Sequence, residues 1–373
     1  MSLFNNTPAA ITEELVRTAL STINDPDLRR DIVTLGFVKS IVIDGTSVAV
    51  SIQLTTPACP VKDQMQAEAE NALRAIGATD VKVEMTSNVV AGPGQRHNAM
   101  LPGVRNTIAV ASGKGGVGKS SVAVNLAVSL AQEGSRVGLI DADIYGPSAP
   151  LMFGLDGQRP RLFENEKGER KFEPLVAYGV KVMSIGFLID PDQAVIWRGP
   201  MASGALKQFI TDVDWGELDY LIFDMPPGTG DIQLTLTQSL PLTGAVIVTT
   251  PQDIALADAR KGLKMFERVN VPLLGIIENM SFFIAPDTGK RYDIFSSGGG
   301  EKAAAELGVP FLGAIPLLIG IREGSDEGVP FVIRDAESEP AEHIRRIARD
   351  LAAQVSIHNF DKAEPMTITL GAS

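Results

Sequence analysis

The amino-acid sequence predicts an α/β protein with a mainly parallel sheet and helices on both faces, preceded by a small α+β domain. Three observations lead there. After residue 104, apolar strand-like runs alternate with helical stretches: Thr107–Ala111, Arg136–Asp141, Val180–Ile185, Tyr220–Asp224, Ala245–Thr250 and Leu273–Glu278. Near-continuous apolar strands separated by helices belong to parallel sheets buried on both faces. A glycine-rich loop joins the first run to a helical stretch over Ser121–Ala131. A polar, Gly/Pro-rich segment without periodicity, 91–103, reads as a linker.

Before that linker, Thr12–Leu20 is an amphipathic helix and Phe37–Ile43 alternates as a strand. Asp44-Gly45 is a hairpin signal leading into the strand Ser47–Leu54. Val61–Ile76 follows as a second helix and Asp80–Met85 as a last strand. The expected organisation is a small domain over 1–90, the linker, an α/β domain over 104–357 and an irregular tail over 358–373.

Hydrophobic residues make up 45 % of the 373 and charged ones 21 %, the balance of a soluble, core-forming chain. A net charge of −12 argues against non-specific nucleic-acid binding, which relies on basic surface. No apolar run has membrane-spanning length, and the first residues lack a signal-peptide pattern, so the expected location is the cytoplasm. The single cysteine, Cys59, excludes an internal disulfide, and His97, His343 and His358 are too scattered for a zinc site.

The glycine loop carries the chemistry. Gly113-Lys114-Gly115-Gly116-Val117-Gly118-Lys119-Ser120 has the spacing of a phosphate-cradling P-loop, with Ser121 opening the helix behind it. Its glycines let backbone N–H groups close on phosphates, and the helix dipole favours their negative charge. This points to ATP with Mg²⁺: Lys119 reaching the β/γ-phosphates and the Ser120 hydroxyl on the metal. Leu221-Ile222-Phe223-Asp224 is an apolar strand ending in a carboxylate, the Walker-B arrangement for a second Mg²⁺ contact through Asp224. Leu139-Ile140-Asp141-Ala142-Asp143 ends another strand; there Asp141 suits either a helix-capping or a catalytic role.

Lys114 is one lysine more than the loop requires. The form Lys-Gly-Gly-x-Gly-Lys-Ser resembles the deviant P-loop of septum-site and partition ATPases and of the nitrogenase iron protein. That resemblance implies that Lys114 crosses a homodimer interface to the partner's nucleotide, as an arginine finger does. It also implies that Asp143 orients the attacking water. Longer strings narrow the family: Asp143-Ile144-Tyr145-Gly146-Pro147-Ser148, Trp197-Arg198-Gly199-Pro200-Met201, Asp224-Met225-Pro226-Pro227-Gly228-Thr229-Gly230-Asp231 and Glu278-Asn279-Met280-Ser281. These resemble the Mrp-type iron–sulfur cluster carrier ATPases, which implies that Asn279 contacts adenine. Asp25-Pro26, Leu35-Gly36 and Leu54-Thr55-Thr56-Pro57-Ala58-Cys59-Pro60 are similar to the small domain of iron–sulfur assembly proteins.

The chain departs from that pattern at one place. Cluster-carrying members have Cys-x-x-Cys after the Glu-Asn-Met-Ser string, one pair per subunit bridging a cluster at the dimer interface. Here Ala285 and Thr288 stand there, and neither replaces a thiolate. Cys59 remains. Pro60 suits the first position of the following helix, which would place Cys59 near its N-cap and favour the thiolate, as a labile iron–sulfur ligand. The other reading is a small semi-buried core cysteine.

The sequence therefore implies an ATP-hydrolysing iron–sulfur cluster carrier, a homodimer that delivers clusters from scaffolds to apoproteins without nucleic-acid or membrane partners. Two alternatives stand beside it: an assembly ATPase that binds clients without a stable cluster, and a positioning or partition-type ATPase.

Overall fold

The computed structural model describes residues 10–92, 100–165, 168–189 and 199–362. Most of the expected linker (93–99), Trp197 and Arg198, and 363–373 of the expected tail lie outside the described residues. The chain divides into two compact units between Val90 and Ala91.

The first unit comprises α1 (Glu13–Leu20), β1 (Val38–Asp44), β2 (Ser47–Leu54), α2 (Lys62–Ala75) and β3 (Asp80–Ser87). Thr12 caps α1, its hydroxyl accepting from the Leu15 amide at 3.2 Å, and Glu13 and Glu14 complement the positive helix end. β1 and β2 pair antiparallel, whereas β2 and β3 pair parallel. Val48, Val50, Ile52 and Leu54 alternate into the core and meet Met65, Ala69 and Leu73, spaced i, i+4 along α2. A short ladder of Asn24–Asp25 with Arg30–Asp31 escapes the sequence reading. It is shaped by polar side-chain turns: Asp25 Oδ1 accepts from the amides of Asp27 (3.0 Å) and Leu28 (2.8 Å).

The second unit is built on one sheet. Its strands are β4 (Val104–Ala111), β5 (Val137–Asp141), β6 (Leu175–Ala177), β7 (Val180–Ser184), β8 (Leu218–Asp224), β9 (Gly244–Thr249), β10 (Leu273–Asn279) and β11 (Phe311–Ile315). Their spatial order is β6-β7-β5-β8-β4-β9-β10-β11, with every pair parallel except β6 with β7. Every residue of β5, β8 and β9 is buried. The helices are α3 (Lys119–Gln132), α4 (Ala149–Met152), α5 (Gly199–Thr211), α6 (Asp231–Ser239), α7 (Asp253–Arg268), α8 (Gly299–Leu307), α9 (Ile319–Glu327), α10 (Phe331–Arg334) and α11 (Glu339–Asp361). From β4 the chain goes first to the β5 side and later returns to the β9 side, so the carboxyl end of β4 is a topological switch point. Ligands settle at such crevices, and the glycine loop leaves from this one.

Three expectations are corrected here. The six-strand reading misses β6 and β11. In β11 the run is interrupted by Gly313, whose φ of +147° and close neighbour (a Cβ there would lie 2.8 Å from Ile347 Cγ1) require glycine where α11 packs. The tail expected from His358 instead begins as helix, since α11 continues through Asp361. Its buried stripe extends past Val355 to Asn359, whose amide donates to Asn106 Oδ1 at 2.8 Å. A polar residue at a core position breaks the apolar pattern that periodicity reads. The linker reading also fails at its end: Leu101 is 1 % exposed, and the Gly103 carbonyl accepts from the Leu218 amide at 2.9 Å. Among the described residues no helix is long and apolar enough to cross a membrane.

Candidate nucleotide site

β4 delivers the chain at Ala111 into the loop, whose backbone is held from both sides. The Ser112 hydroxyl donates to the Lys114 carbonyl at 2.9 Å, and the Ser112 carbonyl accepts from the Gly228 amide at 3.0 Å. Gly116 (φ +81°) and Gly118 (φ +78°) hold left-handed conformations that let the loop double back into α3. A Cβ on Gly113 would lie 2.3 Å from the carbonyl carbon of Asp258, so the loop packs directly on α7.

Several helices of this chain lack a side-chain cap, α2 and α7 among them, and each of those two carries an aspartate in its first turn. The N-cap of α3 is Gly118, with no side-chain cap and no acidic residue in the first turn. Its first N–H groups, among them those of Lys119, Ser120 and Ser121, are left for an external anion, and the dipole favours a phosphate there.

Lys119 is buried beneath the loop. Its ammonium donates to Asp224 Oδ1 at the end of β8 and to Ser120 Oγ at 3.1 Å. One cation thus sits between a hydroxyl and a carboxylate. Those hard oxygen donors suit Mg²⁺, which takes one or two protein oxygens and completes its shell with phosphate and water. The fit supports Ser120 and Asp224 as its protein ligands.

Asp141 and Asp224 are register partners on neighbouring strands, and both are buried. Asp141 Oδ2 accepts from the amides of Ser148 (3.0 Å) and Ala149 (3.1 Å) and from Ser184 Oγ (3.0 Å), and Oδ1 from the Asp143 amide (3.2 Å). This is the helix-capping alternative realised: Asp141 ties the 143–148 turn to the start of α4. Burial, reinforced by the neighbouring Asp224 charge, pushes its carboxyl up to about 7. Asp143 is only half-buried; burial raises its carboxyl, and the Lys119 charge opposes the rise.

Lys114 takes another direction. Its ammonium donates to Gln252 Oε1 at 3.4 Å, just before α7. Sequence reasoning missed Gln252, although a polar residue past the carboxyl end of β9 stands where such sheets place their site groups. It also missed the work of Glu278, a buried carboxylate that accepts from the amides of Gly298 (3.0 Å) and Gly300 (2.6 Å) and from Ser281 Oγ. That closes the N-terminus of α8. Beside it, Asn279 Nδ2 donates to the Val117 carbonyl at 2.8 Å, bracing the loop from behind. Asn279, Met280, Pro316, Leu317, Leu318 and Ile321 line a cavity of about 240 Å³ at the start of α3.

The two positions that would carry cysteines lie in a hairpin turn between Phe283–Ile284 and Arg291–Tyr292. The Ala285 amide donates to the Lys290 carbonyl at 3.0 Å, and the Ala285 carbonyl accepts from the Gly289 amide at 2.8 Å. Among the described residues no group of three or more His, Cys, Asp or Glu side chains could hold a metal ion. Of the two readings of Cys59, the structure favours the semi-buried cysteine: α2 begins at Lys62 with Val61 as N-cap, two residues past Cys59. The thiol packs against the first unit's core, and burial pushes it up to about 11, away from the reactive form.

Comparison with known proteins agrees with this geometry. Residues 103–352 match the family described as NUBPL iron-transfer P-loop NTPase, and 13–85 match the one described as iron-sulfur cluster assembly protein. An iron-sulfur cluster carrier protein of Synechocystis sp. is 52 % identical over 349 residues, covering 93 % of this chain and 99 % of that one. One of the same description from Deinococcus radiodurans is 50 % identical over 345 residues, covering 92 % and 96 %. A nucleotide-binding protein of Archaeoglobus fulgidus, solved in complex with ADP, is 38 % identical at a TM-score of 0.56 and covers 65 % of this chain and 92 % of its own. An open helix start behind a glycine loop, a lysine bridging Ser120 and Asp224, and likeness along nearly the whole length lead to one conclusion: the chain belongs to the NUBPL iron-transfer P-loop NTPases, with an iron–sulfur-assembly unit at its N-terminal side.

Proposed function

We propose that the protein is a cytoplasmic ATP-hydrolysing iron–sulfur cluster carrier that works as a homodimer and delivers clusters from scaffolds to apoproteins. The observation that carries it is Lys119 held between Ser120 and Asp224 at the uncapped start of α3, within a chain 52 % identical to a protein described as a cluster carrier. ATP lays its phosphates against the loop 113–118 and the first N–H groups of α3, and Lys119 turns from Asp224 to the β/γ-phosphates. Ser120 and Asp224 would then hold Mg²⁺, which neutralises charge on the transferring phosphoryl. The adenine enters the cavity beside Asn279. Asp143, half-buried at the site's edge, orients the water, and Lys114 supplies its charge to the partner's nucleotide.

The cluster is cargo, and one chain offers few ligands for it: Ala285 and Thr288 lie in a closed turn, and Cys59 is half-buried with its thiol held protonated. That observation favours, as second reading, an ATPase that binds clients without a stable cluster. Anaerobic reconstitution with iron and sulfide, followed by absorption spectroscopy and iron counting on parental and Cys59→Ser protein, separates the two. Cluster in the parent, lost in the variant, supports a carrier with Cys59 as ligand. Equal content in both removes Cys59 from the site. No cluster in either, with ATPase activity intact, selects the client-binding factor.

A further inference from the structure

We propose that Gln252 is a positioning residue for Lys114, holding that lysine on its own subunit until a second copy presents a nucleotide. This rests on the reading of Lys114 as a lysine that acts across a dimer. Lys114 and Lys119 lie in the same loop, yet only Lys119 engages the carboxylate centre, through Asp224. Lys114 instead donates to Gln252 Oε1 at 3.4 Å. The same oxygen accepts from Thr250 Oγ1 at 2.8 Å, and Thr250 is itself buried, so the amide is oriented from below. Gln252 is the N-cap residue of α7, but its side chain caps no helix N–H. Its acceptor serves the lysine instead.

The elements carrying the two residues are in fixed register, because Gly113 lies against the backbone of α7 at Asp258 with no room for a Cβ. The surroundings are open: Ile254, two residues beyond Gln252, is 73 % exposed on the first turn of α7. A neutral acceptor at 3.4 Å holds a cation in place more weakly than a carboxylate at ordinary ion-pair distance would. That is what a resting position requires, since the ammonium must leave it when negative charge arrives from another subunit.

The test is the protein-concentration dependence of ATP hydrolysis and of ATP-driven dimerisation, the latter by sedimentation velocity. Gln252→Ala frees the lysine, and the concentration at half-maximal activity falls about fivefold. Gln252→Glu replaces the amide oxygen with a charged acceptor, and that concentration rises about tenfold. The shifts fall on the half-maximal concentration rather than on limiting turnover per dimer. Thr250→Val, which removes the orienting hydroxyl, moves it in the direction of Gln252→Ala and keeps the test open if a 252 variant fails to fold. In a Lys114→Ala background the dimerisation midpoint is the same with Gln, Ala or Glu at 252. Shifts of the same sign in both 252 variants, no shift in either, or shifts that persist without Lys114 overturn the inference. Hydrolysis at the parental rate in Lys114→Ala alone overturns the trans-acting lysine itself, a separate result.

Discussion

Asp141 and Asp224 stand opposite one another at the ends of neighbouring parallel strands, 0 % and 1 % exposed, with Lys119 bound to the second of them. Two carboxylates and one ammonium in a low-dielectric interior leave negative charge in excess. Burial first, and then the Asp224 charge, pushes the Asp141 carboxyl up to about 7 while its oxygens cap the 143–148 turn.

Stability should therefore depend on pH through Asp141. Unfolded, the group titrates at 3.8; folded, at about 7. Between those values the folded state binds more protons, so the contribution of Asp141 to stability falls as pH rises from about 4 to about 7. Asp141→Asn abolishes this slope. Urea denaturation of both proteins at several pH values reads it, and a stability difference between them that stays flat across the window counts against the assignment.

The two loop lysines should separate binding from turnover. Lys119→Ala removes the charge proposed to face the phosphates and takes the ammonium partner from Asp224; ATP affinity falls about ten- to a hundredfold. Lys114→Ala leaves affinity near the parental value and lowers turnover by about a thousandfold, as loss of a trans-acting cation does. Equilibrium nucleotide binding and steady-state hydrolysis on both variants give the four numbers needed.

Asp143→Ala should trap an ATP-bound dimer, because the carboxylate proposed to orient the water is lost while the loop, Lys119 and Asp224 remain. Size-exclusion chromatography with ATP and Mg²⁺ is expected to show the variant as a persistent dimer. Hydrolysis at the parental rate would return Asp143 to a purely structural role.

Cys59 should behave as a half-buried thiol held in its protonated form. With its thiol pushed up to about 11, alkylation by iodoacetamide at pH 8 proceeds at least about a hundredfold more slowly in the folded protein than in the unfolded chain, because the thiolate is the nucleophile. The folded rate then climbs about tenfold per pH unit. A fast, pH-independent reaction near neutrality would show an exposed thiolate and restore the helix-terminus reading.

The glycine loop and the strand ends around it are legible in the sequence because each is a local pattern. The glycines, Lys119 and Ser120 lie within one loop, and Asp143, Asp224 and Asn279 each follow or end an apolar strand whose direction fixes where its last residue emerges. What stayed hidden depends on groups far apart in the chain. Gly313 disguises β11 because the strand must admit Ile347 of α11, and Asn359 disguises the end of α11 because its partner is Asn106. Lys114 meets Gln252 only after β9 and α7 are laid beside the loop. Cys59 stays open to two readings in the sequence for a related reason. Proline predicts where a helix is permitted to start, but the packing that buries the thiol and delays α2 to Lys62 belongs to the assembled core. Chemistry set by backbone conformation and short spacing is written along the chain. Burial, charge compensation and the partner of a long flexible side chain are decided by the tertiary structure, because they depend on which distant residues share the same few ångströms.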